Sequence, residues 1–174
     1  MPPACWALRH ISYRAWLVMP DDANGRPIAT ALGFDFGKRR VGIAVGNGIT
    51  GNAQALRALE HIEGLPNWVV LDKLVADWRP GALIVGLPLT AEGERQKMTN
   101  RAENFMNELR GRFKLPVHAV DERYTTIEAV ERLRSARASG SRGRRVAKGD
   151  SDAMAAQVIL ESWLTGTIDS ELQG

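Results

Sequence analysis

Ala31-Leu32-Gly33-Phe34-Asp35-Phe36-Gly37-Lys38-Arg39-Arg40-Val41-Gly42-Ile43-Ala44-Val45-Gly46 is the stretch on which the fold turns. It holds two short apolar runs, Ala31 to Phe36 and Val41 to Val45, ended by Gly37 and Gly46, and both read as buried strands. The linker Gly37-Lys38-Arg39-Arg40 is short enough for a hairpin, so the two strands pair antiparallel. Side chains alternate along a strand, so Phe34 and Phe36 share one face and Asp35 points to the other. An ionised carboxylate inside a sheet is costly unless it is paired or holds a cation. Asp35 is therefore a candidate functional residue, with turn capping as the plainer alternative.

Downstream, the pattern alternates. A third strand is expected around Asn52 to Ala58. Leu71, Leu74, Val75 and Trp78 recur at helical spacing, with Pro66 near the start and Pro80-Gly81 at the end. Ala82 to Val85 is a strand halted at Gly86-Leu87-Pro88. Met98, Ala102, Phe105 and Leu109 mark a second helix, and Val117 to Val120 a fifth strand. Thr125 or Thr126 caps a third helix, and Asp152 opens a fourth through Leu164. Hairpin strands first and helix crossovers after imply a mixed α/β sheet with helices on its faces. Ligands collect at the carboxyl ends of such strands.

Two further acids stand at these boundaries. Glu122 closes the apolar run of the fifth strand in Asp121-Glu122-Arg123; on a strand only one of Asp121 and Glu122 can face the side of Asp35, and the spacing alone does not say which. Asp150 and Asp152 compete at the last helix, where either could cap or complement the macrodipole. Small residues Ala153, Ala155 and Ala156 favour Asp152 as the one packed against the sheet. Three converging carboxylates bind hard divalent cations, which cut phosphodiesters. The glycines Gly37, Gly42 and Gly46 read as turn geometry or as close approach of phosphate to bare backbone.

Composition narrows the class. The 174 residues, 44% of them hydrophobic, suit one domain with a substantial core. A single cysteine, Cys5, excludes an internal disulfide framework and fits a reducing cytoplasm. His10, His61 and His118 lack metal-ligand spacing, which argues against zinc. No apolar run is long enough to span a bilayer. Net charge is only +3, yet Arg132 to Lys148 holds seven basic residues and no acid. A basic run beside an acidic centre suits a polyanionic partner. Trp68, Trp78 and Trp163 read as packing residues. Residues 1–30 show no defensible period and are expected to be an N-terminal extension, with 31–166 the domain and 167–174 a tail.

Taken together, DFG-K-R-VGIAVG, IVGLPL, DERYTT and DSDAMAAQVILESWL resemble, in order and spacing, the YqgF family of pre-16S rRNA nucleases, also described as Holliday junction resolvase-like. The resemblance runs from about Leu32 to Leu164. It implies the RNase H-like fold and a five-stranded mixed sheet whose first three strands are antiparallel. It also implies a catalytic, metal-binding triad of Asp35, Glu122 and Asp152 holding Mg²⁺ or Mn²⁺, and it selects Asp152 over Asp150. Lys38, Arg39, Arg123, Thr126, Arg142, Arg144, Arg145 and Lys148 are the expected substrate-binding residues. The implied activity is maturation of the 5′ end of pre-16S rRNA on ribosomal precursors, by a monomer or homodimer. The alternatives are a four-way DNA junction resolvase and a non-catalytic nucleic-acid-binding assembly factor.

Overall fold

A computed structural model describes residues 28–124 and 148–165. The expected hairpin is formed by β1 (Thr30–Phe36) and β2 (Arg40–Asn47), closed by a Gly37 N–H to Arg40 carbonyl bond of 2.9 Å. β3 (Asn52–Glu60) adds antiparallel to β2, two residues longer than its sequence suggested. α1 (Trp68–Trp78) crosses to β4 (Ala82–Leu87), and α2 (Lys97–Phe113) crosses to β5 (Val117–Asp121); both strands run parallel to β1. A 3₁₀ turn, Glu122–Tyr124, follows β5, and α3 (Lys148–Leu164) is the last described helix. The sheet order is β3-β2-β1-β4-β5. The expected mixed sheet, with three antiparallel strands first and helices on both faces, is what the chain forms. The helix expected after Thr125 lies outside the described residues.

Alternation along the strands sorts the core into two layers. Leu32, Phe34, Phe36, Val41, Ile43 and Val85 join Leu71, Phe105 and Leu109 from α1 and α2. Phe105 stacks on Phe36 at 4.7 Å and meets Phe34 edge-on at 5.8 Å. On the other face, Ala31, Ala44, Ala82 and Ile84 meet Ala156, Ile159, Leu160 and Trp163 of α3. The two layers are chemically unlike: bulky strand residues face α1 and α2, whereas β1 and β2 turn alanines and glycines to α3.

That asymmetry lets α3 lie close against the sheet. A Cβ on Gly33 would stand 2.7 Å from Leu160 Cβ, and one on Gly46 would stand 2.6 Å from Leu164 Cδ1. Gly42 is tighter still, for its Cβ would overlap the Asp152 backbone carbonyl. Neither turn geometry nor phosphate approach explains Gly42 and Gly46; they sit within β2 and make room for a helix. Gln157, buried on α3, fixes the register. Its amide accepts from Ala55 N–H at 3.2 Å and donates to the Ala53 carbonyl at 2.8 Å, satisfying backbone groups of edge strand β3.

Two details differ from expectation. α3 begins at Lys148, so Asp152 lies inside the helix instead of opening it. Its first turn holds no apolar residue that would reveal helical period. Trp78 is 42% exposed, because α1 ends there with Arg79 in a left-handed C-cap. Trp68 and Trp163 do pack as expected, against Phe105 and His118 respectively. No helix among the described residues is long and apolar enough to cross a membrane.

Candidate active site

The parallel register brings the carboxyl ends of β1, β4 and β5 together. Asp35 pairs with Gly42 across β1–β2, Phe34 with Val85 across β1–β4, and Leu87 with Asp121 across β4–β5. Asp35 points to the α3 face, between Gly42 on one side and Gly86 on the other. Because Gly42 admits the α3 backbone, Asp152 comes within electrostatic reach of Asp35. Because Gly86 has no side chain, the Glu122 carboxylate fits over β4: a Cβ there would stand 2.5 Å from Glu122 Oε1. Two glycines thus leave room for two of the three expected acids beside the third.

Asp121 and Glu122 do not alternate as they would on one strand. β5 stops at Asp121, and Glu122 rides the 3₁₀ turn beyond it. Asp121 is buried and bound by Arg123, whose Nε and Nη2 donate to its carboxylate at 2.9 and 2.6 Å. The Arg123 backbone N–H adds a third donor at 3.0 Å. Burial opposes the Asp121 charge, but these bonds and the Arg123 charge outweigh it and hold its pKa below the usual carboxylate range. Arg123 also reaches the Ala91 carbonyl at 3.5 Å, and Gly93 makes room for its guanidinium. A cation expected to grip substrate is here engaged in joining the β4–α2 loop to the turn that carries Glu122.

The other two acids of the sheet behave oppositely. Burial, and then the nearby Asp152 charge, push the Asp35 pKa up to about 6. Burial, then Asp35 and Asp121, push Glu122 up to about 7. Each is a carboxylate taken from water towards its own kind, which disfavours ionisation unless a cation enters. Asp35 makes no hydrogen bond or ion pair among the described residues.

The donor set is oxygen only, which suits a hard divalent cation. Among the described residues no three acids or histidines close to metal-holding distances. The set is open: Asp152 raises Asp35 and Asp35 raises Glu122, a repulsion that a cation entering between them would relieve.

Of the expected substrate contacts, Lys38 and Arg39 are exposed at the hairpin tip. Thr126, Arg142, Arg144 and Arg145, and the side chain of Lys148, lie outside the described residues, as does that of Asp150. The sequence offers Arg40 only together with Lys38 and Arg39, as a hairpin-linker cation that could neutralise phosphate or merely keep the turn soluble, and it is not among the expected substrate contacts. Its Nη1 stands 4.0 Å from Asp152 Oδ2, which brings a cation to the rim of the acidic centre. Alternation along β2, which places Arg40 on the face of Gly42, was the signal that could have found it.

A family model described as "RuvX: Holliday junction resolvase" matches residues 29–166. A relative from Glaesserella parasuis, named "Putative pre-16S rRNA nuclease", is 47% identical over 136 residues, covering 77% of this chain and 94% of the relative. One of the same name from Azotobacter vinelandii is 48% identical over 134 residues, covering 76% of this chain and 91% of the relative. Among solved structures, Thermus thermophilus RuvC covers 80% of this chain and 98% of its own, with a TM-score of 0.51 at 16% identity. The yeast mitochondrial Holliday junction resolvase Ydc2 aligns over 78% of this chain and 77% of its own, with a TM-score of 0.53 at 10% identity. These structural likenesses establish the shared RNase H-like fold.

Proposed function

Since this chain belongs to the family described as RuvX, we propose that it is a nuclease that hydrolyses phosphodiesters of pre-16S rRNA during ribosome maturation. The observation that carries the reading is the coupling of Asp35 with both Glu122 and Asp152 at one end of the sheet. Asp35, Glu122 and Asp152 would hold Mg²⁺ or Mn²⁺, which when bound offsets the charge on attacking and leaving oxygens of an in-line displacement.

The chain itself supplies positioning. β1 fixes Asp35 on a rigid strand, so its carboxylate does not follow loop motion. α3, seated on glycines, sets the height of Asp152 above the sheet. The Asp121–Arg123 pair ties down the turn that presents Glu122. Burial strips water from Asp35 and Glu122, and this strengthens their hold on any cation that enters. Residues 1–30 as an extension whose last residues, Ile28 to Thr30, join the domain, 167–174 as a tail, and the basic run as a phosphate grip complete the reading.

The family description favours a second substrate, the four-way DNA junction. Resolving one takes two symmetric cuts and hence a homodimer. The discriminating experiment offers purified protein both precursor rRNA and a four-way junction, with Mg²⁺, Mn²⁺ or chelator. Metal-dependent cleavage of the RNA, absent in Asp35→Asn, is expected. Junction cleavage alone would reassign the substrate, and tight binding without cleavage by either route would make the chain an assembly factor.

A further inference from the structure

Arg40 opens β2 on the face that meets α3, two residues before Gly42. Its register partner on β3 is Glu60. One Glu60 oxygen accepts from Arg40 Nε at 3.2 Å and Nη2 at 2.8 Å, so one edge of the guanidinium fork is held. The remaining amino group, Nη1, stands 4.0 Å from Asp152 Oδ2 and makes no hydrogen bond among the described residues. A structural tie to Asp152 would close to about 2.7–2.9 Å, the usual length of a charge-assisted bond. The gap leaves Nη1 with donors to spend beside the acids that would hold the cations. The side chain of Arg40 is 28% exposed, so it is sheltered from bulk water yet open to a ligand.

We propose that Arg40 is a phosphate-binding residue of this site, its Nη1 donating to a non-bridging oxygen of a nucleic-acid phosphate while Glu60 holds the fork. The inference rests on the nucleic-acid substrate proposed above. A planar fork with one edge anchored loses little further freedom on binding, which suits arginine better than lysine. Lys38 and Arg39, exposed at the tip, have no acidic partner among the described residues to orient them in this way. The contact positions the strand without reading sequence.

The test is equilibrium binding without cleavage. A labelled four-way DNA junction and a labelled pre-16S 5′-leader RNA are titrated in chelator, over a series of salt concentrations, with wild type, Arg40→Ala, Arg40→Lys and Glu60→Gln. Loss of one phosphate contact in Arg40→Ala is expected to weaken both probes roughly tenfold and to flatten the slope of log K against log salt by about 0.7–0.9. Arg40→Lys and Glu60→Gln keep the cation at position 40 and so the slope, but lose affinity by about threefold through the freed side chain. If Arg40→Ala does not fold, these two variants carry the test. Wild-type slope and affinity in Arg40→Ala overturn the inference. So do unchanged affinities in both conservative variants, or wild-type binding that ignores salt. Binding with the expected pattern but no cleavage under Mg²⁺ would refute the nuclease reading and leave this contact standing.

Discussion

Gly42 and Asp152 share a space that has no room for a side chain: a Cβ on Gly42 would overlap the Asp152 carbonyl oxygen and carbon. The obstacle is helix backbone, which cannot swing aside as a side-chain tip can. Gly42→Ala must therefore lift the start of α3 or distort β2. Overpacking of this kind costs about 1–3 kcal/mol. We expect a lower urea midpoint and, in the protein that remains folded, loss of most nuclease activity because Asp152 leaves Asp35. Full activity in Gly42→Ala would show that this close approach does not set the site.

Gly86→Ala separates stability from activity. The atoms its Cβ would meet, Glu122 Oε1 at 2.5 Å and Ile159 Cδ1 at 2.6 Å, are ends of side chains that can turn away. The stability cost is expected near 1 kcal/mol, towards the lower end for overpacking. Glu122, however, is driven off β4. A kcat reduced at least tenfold, with a melting temperature within a few degrees of wild type, is the expected pair of results.

Protonation gives a third prediction, for protein stripped of divalent cations. Asp35 titrates at about 6 and Glu122 at about 7 in the fold, each above its ordinary value. The folded state then binds more protons than the unfolded state between about pH 4 and pH 7. Stability is greatest below that window and falls as pH rises through it, by an order of 3 kcal/mol for Asp35 alone. Asp35→Asn should flatten the profile and melt above wild type at pH 8 in chelator. Thermal melts from pH 4 to 8 check this, and a wild-type melting temperature that climbs across the window would contradict it.

The Asp121–Arg123 pair lends itself to a double-mutant cycle. Asp121→Asn removes a carboxylate that takes three donors from one residue. Arg123 is partly exposed and can turn to water, so the loss is about 1–2 kcal/mol. Coupling between Asp121→Asn and Arg123→Ala should approach 1 kcal/mol in denaturant melts. Activity should fall in both single variants, since each loosens the turn under Glu122. Additive stability effects would mean that the pair is incidental.

The strands and helices could be read before any coordinates because each has an apolar period of its own: Phe34 and Phe36 on one face, Leu71, Leu74 and Val75 at helical spacing. Gly42 could not be read that way. The atom that demands a glycine there belongs to Asp152, which is remote in sequence, and local propensity carries no trace of it. Asp121 and Glu122 were ambiguous for another reason: alternation fails where β5 gives way to a 3₁₀ turn, and no residue announces the change. Arg40 was hidden among three consecutive basic residues, of which the antiparallel register brings one beneath α3. The placement of Asp35, by contrast, was legible because strand alternation alone sets it on the face opposite Phe34 and Phe36.

Direct titration with Mn²⁺ tests the shared acidic centre without any substrate. Binding to wild-type protein is expected to be saturable and to raise its melting temperature. Asp35→Asn should abolish it, while Glu122→Gln and Asp152→Asn should each weaken it at least tenfold. Saturable binding of equal affinity in all four proteins, or none in wild type up to millimolar Mn²⁺, would contradict the account.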